Sequence, residues 1–447
     1  MGEPGRSARK TLADLGLVLA GAVVLILYSS YGRPIWIDEN LHFAMGQMDV
    51  GYVLKTIHNT TTEINHGQTG VYMFIDWILL RVLGANSVAL RLPSLVAGGA
   101  LLFCAVMFFR VRNFSYAWQY LILVVLAGQS FLMYFVGEAR PYMFLAATAV
   151  ATLAYYQYSP ALRKSWVPRF IGIFGVCVGA LMHAYYPLML VIILFFSVSK
   201  AVRDGFLQRN TRSFLTFLNL PLLVTGAILY LAVGAFTWLR GTPEFGYDPF
   251  QSLGSPQGAV QSLIRDHFST IWDWSNTWIV LVLVVVISLS LGRFRGVGRL
   301  AAPLALLFLA VGSSFVVSLA SYLRDYWIME RQWVAGIALG SVALVWFFAE
   351  LYKAGSRTDS WALRVPAFVF AALALISCYG AVQGQISMLQ SYREAKLALE
   401  SDTRTLDQLI SERSEWPYIA NINIARGGQV WPIFTEWYGR QAGMREN

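Results

Sequence analysis

The chain has 447 residues, of which 57% are hydrophobic, 15% aromatic and only 13% charged, and its mean hydropathy is +0.53. Soluble domains carry about 25% charged residues, so a soluble globular protein is excluded and an integral membrane protein is expected. The formal net charge of +9 does not point to nucleic acid, because the basic residues sort by membrane side.

Beginning at the N-terminus, Met1 to Lys10 is basic, and the apolar run behind it has no small-x-small cleavage site, which predicts an uncleaved signal anchor. A span needs about 20 predominantly apolar residues. On that rule eleven are expected, at about 12–31, 88–109, 116–136, 140–158, 168–184, 185–199, 214–236, 276–292, 300–320, 332–352 and 365–385. With a cytoplasmic N-terminus, six inner segments (1–11, 110–115, 159–169, 200–213, 293–299 and 353–364) hold 18 Lys and Arg, against only Glu3, Asp204 and Asp359. The first outer loop, about 32–87, contains a helix starting at Asp38 and a second apolar stretch from Tyr72 to Leu80. That stretch is too short to span, is interrupted by Asp76, and is expected to lie in the membrane interface. A second large outer loop covers about 237–275. Residues 1–385 thus form one transmembrane unit. Residues 386–447 are expected to form a small outer appendage of α/β type, a polar helix at about 387–413 followed by short apolar runs such as Tyr418 to Ile422 and the turn signal Gly427-Gly428. Cys104, Cys177 and Cys378 all fall in apolar stretches without metal-ligand spacing and read as core residues.

Chemistry is concentrated at one rim. Asp38 and Glu39 follow the first span, Arg91 enters the second, Glu138 and Arg140 join the third to the fourth, and His183 ends the fifth. Arg324, Asp325, Glu330 and Arg331 lie between the ninth and tenth. Five hairpin ends therefore supply carboxylates suited to a hydroxyl group and arginines suited to a phosphate. Simpler roles stand beside these. Asp38 can serve as the N-cap of its helix. Adjacent helical residues point about 100° apart, so Asp38 and Glu39 cannot both face one hydroxyl, and one of them is structural. His42, four residues after Asp38, is either a metal ligand completed by His66 or His183 or a hydrogen-bonded interface residue. Arg91 can also be an interfacial snorkeler, and Glu138 can pair with Arg140.

Four segments carry a family resemblance: Trp36-Ile37-Asp38-Glu39, the run from Ser87 to Gly98 with Arg91-Leu92-Pro93-Ser94, the run Gly137-Glu138-Ala139-Arg140-Pro141-Tyr142, and His183-Ala184-Tyr185-Tyr186. In order and spacing they resemble bacterial GT-C glycosyltransferases, in the branch containing the protein O-mannosyltransferases, the lipid A aminoarabinose transferases and the rhizobial lipopolysaccharide sugar transferases. The likeness is clearest over about 30–200. It implies an all-α polytopic fold and inverting transfer of one sugar from a polyprenyl-phosphate donor to a hydroxyl of a glycan, lipid or protein at the outer face of the bacterial inner membrane. It further implies that Asp38 is the acid–base residue with Glu39 supporting it. Arg91 and Arg140, with Arg324 and Arg331 at the same rim, would hold the lipid phosphate. His42, His66, Glu138, His183 and Tyr185 remain as pocket candidates. Some relatives bind a divalent metal, which would implicate Glu63 and His183. The chain departs from the family where His-Pro-Pro is common, having Asn65-His66-Gly67-Gln68 instead. Two other functions stay open: a transporter or flippase for a lipid-linked saccharide, which would want midplane charges and an internal repeat that are not visible here, and a ligase that moves a whole oligosaccharide from a diphosphate carrier.

Overall fold

The computed structural model describes residues 4–29, 33–35, 37–58, 69–203, 211–233, 253–268, 282, 285, 286, 297–323, 328–412 and 416–425. Its architecture is an all-helical bundle with a cap of short helices at one end. The first long helix, α1 (Pro4–Tyr28), sits at the periphery, and most of its apolar surface is exposed. Three short helices follow, α2 (Ile37–Gln47), α3 (Val50–His58) and α4 (Val71–Leu83). The side chain of Asp49 accepts a hydrogen bond from the Tyr52 amide at the head of α3, 3.0 Å away, and Gly70 introduces α4 with φ of 76°. A side chain at Gly70 would be strained in that left-handed conformation.

The bundle continues with α5 (Ser87–Val111), α6 (Tyr116–Gly128), α7 (Ser130–Tyr134), α8 (Tyr142–Gln157), α9 (Trp166–Met182), α10 (Tyr186–Arg203), α11 (Thr211–Leu218) and α12 (Leu220–Val233). It closes with α13 (Pro256–His267), α14 (Val297–Tyr322), α15 (Val334–Arg357), α16 (Trp361–Ser401), α17 (Leu406–Ser411) and α18 (Trp416–Ala425). Two helices are apolar all round and therefore central: α8, buried from Tyr142 through Tyr156, and α15, whose spanning window is 94% buried. They pack on each other, with α5 against α8 and with α14 and α16 against α15. Gly175 lies in a π-helical turn of α9 where that helix meets α8, and a Cβ there would lie 2.8 Å from the Thr152 backbone nitrogen.

Two expectations are corrected. Six helices among the described residues are long and apolar enough to span, or seven when α6 and the segment Ser130–Gly137, bent by 76°, are taken as one. Eleven were expected because a hydropathy window measures the apolar run and cannot see where the helix stops. The 16 residues of α8 rise only about 24 Å, short of a hydrocarbon core of about 30 Å. Helix α12 is shorter still, and the segment 276–292 lies outside the described residues apart from 282, 285 and 286. The second correction concerns the C-terminal part, where no separate α/β unit is resolved. The last span runs on without a break as the 41-residue α16, and the segment from Tyr418 to Ile422 is helical, inside α18. Apolar residues separated by Asn421 and Asn423 alternate like a strand, yet that pattern also suits a short helix buried on one side. Residues 426–447 are outside the described set. The cysteines are free, with Cys104 and Cys177 buried and Cys378 half-buried.

Gly175→Ala should cost about 1–3 kcal/mol through overpacking against Thr152. Gly312→Ala in α14, where a Cβ meets nothing within 4 Å, should be nearly neutral. Thermal unfolding of both variants in the same nanodiscs tests this packing.

Candidate active site

The cap is held to the bundle by a buried carboxylate. Glu39, in the first turn of α2, is fully enclosed. Arg91 of α5 grips it with both ends of its guanidinium, Nε donating to Oε1 at 2.9 Å and Nη2 to Oε2 at 2.7 Å. The Ala139 amide donates to Oε1 at 2.8 Å, and Arg33 Nη2 lies 3.2 Å from the same oxygen. Arg91 also donates to the carbonyls of Arg33 and Pro34, at 2.8 and 3.1 Å. Although burial alone would raise the Glu39 pKa, the two arginines and the amide hold it down to about 2. One carboxylate thus ties together α2, α5, the segment before α2 and the turn after α7. Arg91, expected among the phosphate-binding groups, has its guanidinium engaged inside this clamp.

A second buried pair joins α2 to α4. His42 Nδ1 and Asp76 Oδ2 share a hydrogen bond of 2.7 Å, and both side chains are fully buried. Burial and then the nearby Glu39 charge push the Asp76 carboxyl well above its usual range. His42 therefore meets Asp76. The side chain of Asp38 lies outside the described residues, although its backbone sits in the first turn of α2, one residue inside the helix start.

A relay fixes the next element. The Tyr72 hydroxyl lies 2.8 Å from Ser94 Oγ, which in turn donates to the Arg140 carbonyl at 3.0 Å. The Arg91-Leu92-Pro93-Ser94 run thus works twice, once through Arg91 and once through Ser94, one helical turn apart on α5. Between them they set both ends of the segment Glu138-Ala139-Arg140.

That segment presents the charges. Glu138 is almost fully buried, and its Oε1 has no hydrogen-bond partner. Burial first, and the Glu39 charge second, raise its pKa to about 7, against the pull of Arg140, Arg33 and Arg331. Arg140 and Arg331 converge on the Tyr142 ring, their guanidinium carbons 5.7 and 5.5 Å from its centroid. His183 packs on the same ring at 5.7 Å, and its pKa falls to about 3 through burial and the Arg140 charge. Tyr185 places its hydroxyl 2.7 Å from Ser321 Oγ, which donates to Gln332 Oε1 at 3.1 Å and so links α9 and α10 to the short turn carrying Arg331. Thr69 ties the entry of α4 to the end of α9 by donating to the Leu181 carbonyl.

Arg140, His183 and Arg331 thus gather around Tyr142, with Tyr185 packed on His183 and Glu138 in the field of the arginines and of the Glu39 clamp. Glu63, His66 and Arg324 lie outside the described residues. Among the described residues no three His, Cys, Asp or Glu side chains converge as a metal site. A cation at His183 would share its surroundings with the Arg140 guanidinium, which opposes it. Sequence reasoning missed Arg33, Tyr72, Ser94 and the role of Asp76. Only Asp76 gave a signal, as an acid interrupting an apolar run.

This geometry sits on an architecture seen before. The structure matches the crystal structure of ArnT from Cupriavidus metallidurans in the apo state with a TM-score of 0.52, covering 90% of this chain and 81% of that one at 13% identity. The fold is GT-C-like. ArnT from Cupriavidus metallidurans bound to undecaprenyl phosphate gives a TM-score of 0.50, with 88% and 80% of the two chains covered and again 13% identity. No family model matches the sequence, and neither does any curated protein.

Removing one side of the clamp strands buried charge, so Glu39→Ala and Arg91→Ala should each destabilise the protein by about 3–5 kcal/mol. The double variant should lose clearly less than their sum. Because the Glu39 pKa is depressed when folded, its contribution is complete above about pH 4.3, the unfolded value, and fades as pH falls toward 2. A double-mutant cycle on thermal unfolding measures the coupling.

Proposed function

We propose that this multi-pass membrane protein is an inverting glycosyltransferase that moves one sugar from a polyprenyl-phosphate donor to an acceptor hydroxyl at the outer face of the bacterial inner membrane. The observation that carries the reading is the convergence of Arg140 and Arg331 on Tyr142, beside a buried Glu138 with an unpartnered oxygen. Two guanidinium groups on one aromatic platform suit the phosphate of a lipid carrier. The undecaprenyl phosphate held by ArnT, which shares this fold, supports the same class of ligand.

Chemically, the acceptor hydroxyl attacks the anomeric carbon as its proton passes to Asp38. The carbon–oxygen bond to phosphate breaks with its electron pair going to the departing oxygen. In-line attack inverts the centre, and a carboxylate base contributes about 10²–10⁴-fold. The leaving phosphate gains negative charge, which Arg140 and Arg331 neutralise without a general acid. Glu39, held by Arg91, acts as the positioning group that sets α2 and with it Asp38. The clustering of Lys and Arg in the loops at the opposite ends of the predicted spans supports an outward-facing rim.

Glu138 supports a second assignment of the base, because a buried carboxyl with a pKa about 7 is suited to proton transfer. Asp38→Asn and Glu138→Gln separate the two. With radiolabelled sugar on a panel of polyprenyl-phosphate donors in reconstituted vesicles, Asp38→Asn should abolish transfer while leaving the protein folded. Near-normal turnover in Asp38→Asn, together with loss in Glu138→Gln, would move the base to Glu138. Transfer of a whole oligosaccharide from a diphosphate carrier alone would identify the ligase instead.

Donor binding should depend on pH through Glu138. The donor phosphodiester keeps one negative charge near neutrality, so it binds better beside a protonated carboxyl, and affinity should weaken as pH rises through about 7. In Glu138→Gln this dependence should flatten, and direct binding of polyprenyl-phosphate sugar from pH 5.5 to 8.5 tests it.

A further inference from the structure

A groove of about 360 Å³ runs down the flank of the bundle between α1 and α5, toward the end remote from the candidate site. Arg110, at its far end, lies about 28 Å along α5 from Arg91. Leu17, Leu102, Val106 and Leu123 form a buried floor, and Val18, Ala22 and Phe103 stand exposed along the edges. From Leu25 to Asp14 the groove follows α1 for about 16 Å, close to the half-thickness, about 15 Å, that one leaflet contributes to a hydrocarbon core. Gly21 keeps it open. A Cβ there would come no closer than 3.9 Å to Leu102, so a larger side chain has room to enter the groove.

Charge is confined to that remote end. Arg110 Nη2 donates to Asp14 Oδ1 at 2.5 Å and to Gln119 Oε1 at 3.1 Å, and Nε donates to the same Gln119 oxygen at 3.2 Å. The Tyr116 hydroxyl donates to Asp14 Oδ1 at 3.1 Å. These bonds orient both groups, yet Arg110 Nη1 and Asp14 Oδ2 take no hydrogen bond among the described residues. Neither atom is enclosed, the two side chains being 38% and 47% exposed. Lys10, one turn earlier on α1, is exposed and forms no ion pair with Asp14. The apolar slot, as long as one leaflet is thick, therefore ends on an oriented cation and an oriented anion, each with one open atom. That pattern is complementary to a headgroup carrying both a phosphate and a hydrogen-bonding ammonium.

We propose that this groove is a structural site for one aminophospholipid of the phosphatidylethanolamine type, with an acyl chain in the slot, the phosphate on Arg110 and the ammonium on Asp14. Phosphatidylcholine carries the same charges, but its quaternary nitrogen has no N–H to donate. Phosphatidylglycerol offers the phosphate and no cation. A lipid seated here fills the space between α1 and α5 and fastens to the bundle a helix that otherwise exposes most of its apolar surface. The site uses none of the residues assigned to sugar transfer, so it stands or falls independently of that reading.

For the test, the full chain is delipidated in mild detergent and titrated with phosphatidylethanolamine, phosphatidylcholine and phosphatidylglycerol of equal chain length, and bound lipid is counted by native mass spectrometry. Wild type should hold one phosphatidylethanolamine about tenfold more tightly than either other lipid, through the charge-assisted bond to Asp14. Asp14→Asn keeps an acceptor for Tyr116 and Arg110 but loses the charge, and should bring phosphatidylethanolamine down to the level of phosphatidylcholine. Gly21→Leu fills the slot while leaving Asp14 and Arg110 in place, and should weaken all three lipids by about tenfold. Thermal midpoints of both variants before lipid is added, unchanged from wild type, certify their folds. Equal affinity of wild type for the three lipids, or binding that Gly21→Leu leaves intact, would overturn the site. A preference for phosphatidylglycerol would overturn the headgroup assignment. Tighter binding of polyprenyl phosphate, displacing phosphatidylethanolamine from the groove, would overturn the proposal by giving the slot to a different lipid.

Discussion

Everything at the functional end of this molecule hangs on the enclosed carboxylate of Glu39. Two arginines and one backbone amide surround it, and they come from three separate parts of the chain. Buried ion pairs are seldom a net gain in stability over apolar packing, but breaking one is expensive, which makes such a pair a good device for fixing geometry. Here it fixes the turn after α7, so Glu138 and Arg140 are presented at a constant height relative to α2. The Tyr72 to Ser94 relay holds the other end of the same turn. A segment pinned at both ends can hold buried charged side chains in place without its backbone giving way to them.

How much of this was legible depended on the kind of signal. Asp38-Glu39 after an apolar run, and Glu138 and Arg140 between two others, were legible because charge beside a membrane helix is rare and five such places fell on one rim. Helical geometry separates the two adjacent acids, and Glu39 is enclosed. What could not be read was pairing. Nothing in the spacing links His42 to Asp76, 34 residues on, or tells an arginine aimed at a ligand from one that, like Arg91, faces another side chain. Arg33 lies outside every motif, and its importance appears only when its surroundings are known.

The fold was legible in class but not in count. A sequence window registers apolar length, whereas the helix breaks at Gln129, at Tyr158 and at Asn219 are set by local backbone geometry and by packing against α8. Of the short helices that result, α8 is housed among neighbours, which shield it and remove the need for it to match the bilayer thickness, whereas α12 buries only Gly226 and leaves Val224, Ile228 and Leu231 exposed. The same reasoning accounts for the C-terminal segment, where polar residues after about 386 suggested a new unit and the chain simply prolonged its last helix. Its 41 residues reach about 60 Å, twice a hydrocarbon core.

That long helix has a consequence for how the molecule is made. It delivers Asn421 back to the backbone of Ile35, across a sequence separation of 386 residues, and Gln385 to the carbonyl of Leu27 at 3.0 Å. Synthesis proceeds from the N-terminus at about 5–20 residues per second, so the stretch ahead of α2 emerges early and stays without these partners until nearly the whole polypeptide has left the ribosome. That end of the bundle is therefore completed late, and until α16 and α18 have emerged the stretch around Ile35 lacks the side chains that hold it in the finished fold.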